Sequence, residues 1–196
     1  MKNLVFFLAL LCSSSLVAQF SYNENGSGIE TPYTTASGAA AFAMGNGATA
    51  SSNYSTAMGN GTTASGGAST AMGYGTTASG DASTAMGDYT TASGYASTAS
   101  GQGTTASGNY STALGINTTA TKQGSFAVGA DTVADGLESS ALGRGSIASG
   151  DYSTAMGLST TASGNNSTAM GYLTQASGDS STAMGNGTTA SGSIST

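Results

Sequence analysis

Residues 55–68 read STAMGNGTTASGGA, and this 14-residue unit decides the fold because it recurs through the rest of the chain. Alanine stands at every seventh position from Ala36 through Ala190, 23 times without a miss. Glycine follows two residues later in 21 of the 23 cases, the exceptions being Ser52 and Lys122. Two kinds of heptad alternate, so the period is 14 residues, and about twelve units fill residues 36–196.

The residues that recur exclude other repeat folds. A glycine inside every heptad costs an α-helix about 1 kcal/mol relative to alanine, and no apolar seam offsets that cost in a coiled coil. Collagen needs glycine at every third position and many prolines, whereas this chain has one proline. Calcium-binding nonapeptide repeats need regular aspartates that are absent here. The sequence therefore predicts a β-solenoid.

Each unit accommodates two short strands separated by turns at the variable pairs that follow each glycine, such as Asn60-Gly61 and Gly67-Ala68. Side chains alternate along a strand, so the face that carries the unvarying alanine points inward. Stacked parallel strands lie about 4.8 Å apart, which makes a rod of roughly 55 to 60 Å.

The opposite side of the Ser-Thr-Ala-Met-Gly heptad carries an apolar column that we expect on the outside of the rod. A secreted protein rarely exposes such a stripe, and we interpret it as an oligomer interface. The alternative is that these side chains fold over into a local core. Ser100 interrupts the column, whose members are Met44, Met58, Met72, Met86, Leu114, Val128, Leu142, Met156, Met170 and Met184.

The unit Ser-Thr-Ala-Met-Gly-x-x-Thr-Thr-Ala-Ser-Gly-x-x resembles the head repeat of YadA-like trimeric autotransporter adhesins, most closely within residues 124–150. The resemblance implies an all-β fold, a left-handed parallel β-roll, three chains per head and a role in surface attachment. It also implies that positions like Met58 and Thr56 face the trimer centre. Because the family's stalk and membrane barrel do not follow, we expect a piece of a longer protein or a separate export route.

The start of the chain predicts export. Residues 1–18 combine Lys2, an apolar stretch and a small residue at Ala18, which is typical of a signal peptide. Residues 19–35 contain Asn, Gly and Pro32 and are predicted to be a flexible lead-in to the head repeats at 36–196. We expect an extracellular or cell-surface location, with no membrane span in this chain.

Composition excludes most chemistry. The sequence has no histidine, one cysteine that lies in the leader, and few large apolar residues, so we expect no enzyme, metal site or cofactor. The net charge of −6, with only three basic residues, excludes nucleic acid as a partner. The expected partners are two further copies of the chain and an unidentified surface, matrix or host ligand.

Candidate contact residues lie in the predicted turns, because tyrosine offers a large amphipathic surface at low entropic cost. A second hypothesis places specialised contacts in residues 118–145, where Phe126 replaces a threonine and five charged residues concentrate. The candidates are Tyr54, Tyr74, Tyr89, Tyr95, Tyr110, Tyr152, Tyr172, Lys122 and Arg144.

Ice binding is the alternative function. The outward side of the second heptad carries a threonine column like Thr63 beside a serine column like Ser65, which together give regularly spaced hydroxyls and methyls. Threonine is also simply a good strand residue. The columns are interrupted at Val133, Asp135, Ile147 and Gln175.

Overall fold

The computed structural model describes residues 21–22, 29–30 and 33–196 of the chain. Within those residues the secondary structure consists of strands, turns and bends, with no helix. The predicted all-β fold is therefore confirmed. The predicted signal peptide at 1–18 lies outside the described residues.

The strands form two sheets, which we call the long-strand sheet and the short-strand sheet. The long-strand sheet contains β1 and all the even-numbered strands, and the short-strand sheet contains the remaining odd-numbered strands. In chain order the strands are β1 (Ser21–Tyr22), β2 (Ile29–Glu30), β3 (Thr35–Ala36), β4 (Phe42–Met44), β5 (Thr49–Ala50), β6 (Thr56–Asn60), β7 (Thr63–Ala64), β8 (Thr70–Tyr74), β9 (Thr77–Ala78), β10 (Thr84–Asp88), β11 (Thr91–Ala92), β12 (Thr98–Gln102), β13 (Thr105–Ala106), β14 (Thr112–Ile116), β15 (Thr119–Ala120), β16 (Phe126–Ala130), β17 (Val133–Ala134), β18 (Ser140–Arg144), β19 (Ile147–Ala148), β20 (Thr154–Leu158), β21 (Thr161–Ala162), β22 (Thr168–Tyr172), β23 (Gln175–Ala176), β24 (Thr182–Asn186) and β25 (Thr189–Ala190).

Successive coils stack in parallel and in register, one repeat unit apart. Met58 lies beside Met72, and Met72 lies beside Met86. In the short-strand sheet Thr63 lies beside Thr77 in the same way. The predicted β-solenoid of 14-residue coils with two strands per coil is confirmed. The strands are unequal, because most coils combine one strand of five residues with one of two.

The interior of the solenoid is built from very small side chains. Ala57, Ala64 and their equivalents in the other coils are buried, as are the inward hydroxyl residues Ser55 and Thr62. The largest fully buried side chains are threonines. The two sheets of a coil therefore lie too close together to enclose a larger residue. The inward position of the alanines, predicted from strand alternation, is confirmed.

Most of the inward hydroxyls contribute no hydrogen bond. Ser55 Oγ donates to the Ser52 carbonyl at 2.6 Å and Ser69 Oγ to the Gly66 carbonyl at 2.7 Å. The buried hydroxyls that lack a partner within the part of the chain described are those of Thr62, Thr76, Ser83, Thr90, Ser97, Thr104, Ser111, Thr118, Thr132, Ser153, Ser167, Thr174 and Ser181. Since an unpaired buried hydroxyl does not stabilise a fold, the backbone ladders between coils must carry most of the hydrogen-bond stabilisation.

Except at Ser52 and Lys122, glycine occupies the two points of each coil where the backbones of neighbouring coils touch. A Cβ atom on Gly59 would lie 1.9 Å from the carbonyl oxygen of Gly73, and one on Gly66 would lie 2.1 Å from that of Gly80. Such contacts are far inside van der Waals distance, and the obstacle is backbone that cannot rotate away. The stacking distance of the coils therefore requires glycine at these positions.

The predicted flexible lead-in at 19–35 contains parts of the long-strand sheet. β2 pairs in parallel with β4, and β1 pairs with β2 in an antiparallel hairpin. The hydrogen-bonded coil begins by Tyr33, whose carbonyl accepts the Gly47 N–H at 2.9 Å. Flexibility of the lead-in stays a prediction.

Two substitutions in one coil separate the stacking constraint from the conformational one. Gly66→Ala places a Cβ 2.1 Å from the Gly80 carbonyl oxygen at a position without a positive φ, so we expect it to cost about 3 kcal/mol or more. Gly61 has a φ of +64° but no atom within 4 Å of an added Cβ, so Gly61→Ala should cost only about 1 kcal/mol. Urea unfolding followed by circular dichroism measures both, and equal losses would show that coil contact does not dictate glycine.

Candidate interaction surfaces

The outside of the rod consists of two faces and two edges, which we define from the coil of residues 55–68. The long-strand face carries Thr56 and Met58, and the short-strand face carries Thr63 and Ser65. The first edge comprises the positions of Asn60 and Gly61, and the second edge those of Gly67 and Ala68. Outward residues of the other coils are assigned to these surfaces by their distance, in multiples of 14 residues, from this coil.

The apolar column lies on the long-strand face and points away from the interior. None of its ten members is buried within the chain, and Met44, Met156 and Met184 are 38%, 41% and 57% exposed. The alternative of a local core is therefore wrong for a single chain. Ser100 interrupts the column at β12, where it lies between Met86 and Leu114.

The column broadens in the C-terminal half of the rod. Phe126 adds an apolar side chain on the same face, and Ile116 and Leu158 add two more at the end of the long strand, where they are 50% and 42% exposed. Sequence reasoning did not find this broader patch. Its signal was present, since Ile116 and Leu158 stand two residues after column members Leu114 and Met156. A contiguous exposed apolar patch indicates an interaction surface.

The seven candidate tyrosines do not form one surface. All are exposed, but they divide between the two edges. Two of them, Tyr74 and Tyr172, are the last residues of β8 and β22 and do not lie in turns, which corrects the prediction. The first edge carries Tyr74, Tyr89 and Tyr172, and the second edge carries Tyr54, Tyr95, Tyr110 and Tyr152.

Two pairs of tyrosines contact each other across neighbouring coils. The ring centroids of Tyr74 and Tyr89 are 5.2 Å apart on the first edge, and those of Tyr95 and Tyr110 are 5.4 Å apart on the second, both edge to face. A hydrogen bond with Tyr74 and its negative charge when ionised raise the pKa of the Tyr89 phenol, with smaller contributions from burial and from Asp88. These rings are therefore held in pairs.

The edges hold several bulky residues in a left-handed backbone conformation. Tyr54, Tyr110 and Tyr152 have φ of 59°, 59° and 58° on the second edge, and Tyr89 and Leu173 have 51° and 53° on the first. Such φ values are rare for residues with a Cβ and persist only where the surroundings impose them. Here the ladders impose them, since the corner N–H groups donate to the preceding coil, as Tyr54 does to Ala39 at 2.9 Å. The edges are therefore rigid platforms.

A ladder of side-chain amides and carboxylates reinforces the second edge. Asn53 Oδ1 accepts the Ala39 N–H at 3.0 Å, and Asp81 Oδ1 accepts the Gly67 N–H at 2.7 Å. Equivalent bonds come from Asn109, Asp151, Asn165 and Asp179. Sequence reasoning missed this ladder, although Asn or Asp recurs at one position of the repeat.

The two basic candidates lie apart. Lys122 takes the glycine position next to the second edge, whereas Arg144 ends β18 on the first edge. The other charges of residues 118–145 are scattered too, with Asp131 on the first edge, Asp135 on the short-strand face and Glu138 on the second edge. The described residues contain no group of three His, Cys, Asp or Glu side chains able to hold a metal ion.

The short-strand face carries the predicted hydroxyl array. Thr63 is half-buried and Ser65 is exposed, and threonines at that position stand side by side without interruption from β5 to β15. Val133, Ile147 and Gln175 then interrupt the column, and Asp135 interrupts the serines.

A family model described as the YadA head domain repeat, in two copies, matches the chain ten times. The matched residues are 36–62, 64–90, 87–110, 92–118, 106–132, 120–146, 134–160, 148–174, 162–188 and 176–196. No curated protein matches the chain. Within the described residues no helix is long and apolar enough to cross a bilayer.

Tyr74→Phe tests whether Tyr74 raises the pKa of Tyr89. The substitution removes both the hydrogen bond that favours the neutral Tyr89 phenol and the neighbouring phenolate charge, so the pKa of Tyr89 should fall toward its ordinary value. Titration by NMR of ring-labelled tyrosine measures this pKa. Tyr95→Phe, in the pair on the opposite edge, is the control and should leave it unchanged, and an unchanged pKa in Tyr74→Phe would contradict the contact.

Proposed function

This chain belongs to the YadA head domain family, and from that premise we propose that it is an exported, non-catalytic, adhesin-like head. In this proposal three chains assemble side by side, and the trimer attaches to a surface or matrix outside the cell. The observation that carries the proposal is the apolar column along the whole long-strand face.

The column supports association because the fold gives it no other place to be buried. An interior that holds nothing larger than threonine cannot take up a methionine or leucine. One stripe per chain, held in register from coil to coil and interrupted at Ser100, allows chains to bury their stripes together along a common axis. Closed rotational symmetry leaves no stripe exposed, and the number three comes from the family.

The surfaces that remain exposed on such a trimer are those that bind the surface or matrix. The exposed edge tyrosines offer contact area with few rotatable bonds, and the strained corners hold them rigidly. Residues 118–145 differ most from the repeat and can therefore form a binding site that occurs once in the chain, whereas identical coils cannot.

Charge placed in the column should separate the chains. In the triple variant Met58→Asp, Met72→Asp and Met86→Asp each carboxylate would be buried between chains without a partner, so the trimer should dissociate. Sedimentation velocity of the secreted chain measures the state of assembly. The matched control replaces Tyr54, Tyr110 and Tyr152 by Ser and should remain trimeric. A wild-type chain that sediments as a stable monomer would overturn the proposed assembly.

Attachment is measured with latex beads that carry the trimer, retained under flow on a reconstituted basement-membrane extract. We expect retention above that of albumin-coated beads. Replacing residues 118–145 by two consensus coils in the same phase should preserve the trimer and abolish retention. Unchanged retention would move the contact to the repeated edges, and no retention of the wild type would contradict attachment to this matrix.

Ice binding is the second candidate, and the hydroxyl array on the short-strand face favours it. In-register threonines and exposed serines stand about 4.8 Å apart along the rod and form a regular array of hydroxyls. Thermal hysteresis and ice recrystallisation assays of the purified protein test it. Absence of both activities at micromolar concentration would exclude this function.

A further inference from the structure

The corners of the solenoid generate a recurring modification motif. The residues that follow each corner include an inward serine or threonine, so an asparagine on an edge usually completes the sequence Asn-x-Ser/Thr, the acceptor motif of N-linked glycosylation. Asn46 does not, because Ala48 takes the third position. Within residues 33–196 the motif begins at Asn53, Asn60, Asn109, Asn117, Asn165, Asn166 and Asn186, all of them exposed.

We propose that Asn53, Asn109 and Asn165 are acceptors for N-linked glycans, attached before the chain folds. The inference rests on the export assumed in the proposed function. The three asparagines occupy the same position of the repeat on the second edge, at intervals of four coils, and would place sugars in a line about 19 Å apart.

The side-chain hydrogen bonds of the folded rod are compatible with a sugar on Nδ2 of these three residues. Their Oδ1 atoms accept the backbone N–H groups of Ala39, Tyr95 and Asp151, each at 3.0 Å. An N-glycosyl amide keeps this carbonyl oxygen, so a sugar on Nδ2 preserves the ladder. Asn117 differs, because its Nδ2 already donates to Asp131 Oδ1 at 3.2 Å.

Because the third residue of the motif is buried in the folded coil, glycosylation must precede folding. A transferase that reads the motif must reach the hydroxyl two residues after the asparagine. Ser55, Ser111 and Ser167 are fully buried in the folded coil, with their side chains inside the solenoid. The sugar must therefore be attached while the segment is unfolded, and the folded rod should not be a substrate.

The transfer is a displacement that needs no redox partner. The donor is a sugar whose C1 is esterified to a nucleoside or polyisoprenol diphosphate. Asn Nδ2 attacks C1, the C1–N bond forms as the C1–O bond to phosphate breaks, the diphosphate leaves with the electron pair, and Nδ2 gives one proton to the transferase. The glycans would project from the second edge and leave the long-strand face clear for association.

The test exports the chain through a secretory pathway that contains an N-glycan transferase. Intact mass and peptide mapping, before and after digestion with a glycan-releasing amidase, should place sugar on Asn53, Asn109 and Asn165. Asn46 is the internal control and should carry none. Ser111→Ala should remove sugar from Asn109 alone without disturbing the fold, because the Ser111 hydroxyl has no hydrogen-bond partner among the described residues.

A second experiment tests whether the sugar is attached before the chain folds. Purified non-glycosylated chain, incubated with transferase and donor, should be modified when kept unfolded and not after folding. Unmodified Asn53, Asn109 and Asn165 in the exported protein, sugar on Asn46, or equal modification of the folded chain would each overturn the proposal. Sedimentation of the same material reports trimer formation separately, so failure of the glycan proposal and failure of the proposed assembly are distinguishable.

Discussion

The contact between a glycine of one coil and the backbone of the next determines the rest of this structure. At Gly59, Gly66 and their equivalents the backbones approach so closely that a Cβ would lie about 2 Å from a carbonyl oxygen of the next coil. Two such contacts per turn fix the stacking distance and hold both parallel ladders in register.

The tight closure of the coil restricts which residues can occupy its other positions. Its interior accepts alanine, serine and threonine, and even their hydroxyls are mostly left without partners. Larger apolar residues are therefore confined to the outside, where the repeat places them in a single stripe. In the proposed trimer, association between chains supplies the burial that the single chain lacks.

Much of this arrangement could be predicted because period and alternation are explicit in the sequence. The inward alanines, the outward Met58 column and the Thr63 and Ser65 columns all follow from counting. Other features depend on three-dimensional geometry that counting does not contain. The five-residue and two-residue strands, the left-handed corners at Tyr54 and Leu173 and the amide ladder through Asn53 arise from the way that each corner bonds to the preceding one. The sequence also does not reveal that Lys122 and Arg144 lie apart. The structure places Lys122 next to the second edge and Arg144 on the first edge.

The reactivity of single cysteines tests the central claim most directly, since the one native cysteine, Cys12, precedes residue 19. Met72 and Thr77 are both half-buried in the isolated chain, on the long-strand and the short-strand face respectively. In chains that begin at residue 19, Met72→Cys should be alkylated at least tenfold more slowly than Thr77→Cys under native conditions, and both should react alike in urea. Equal native rates would show that the apolar stripe faces solvent and would contradict the account.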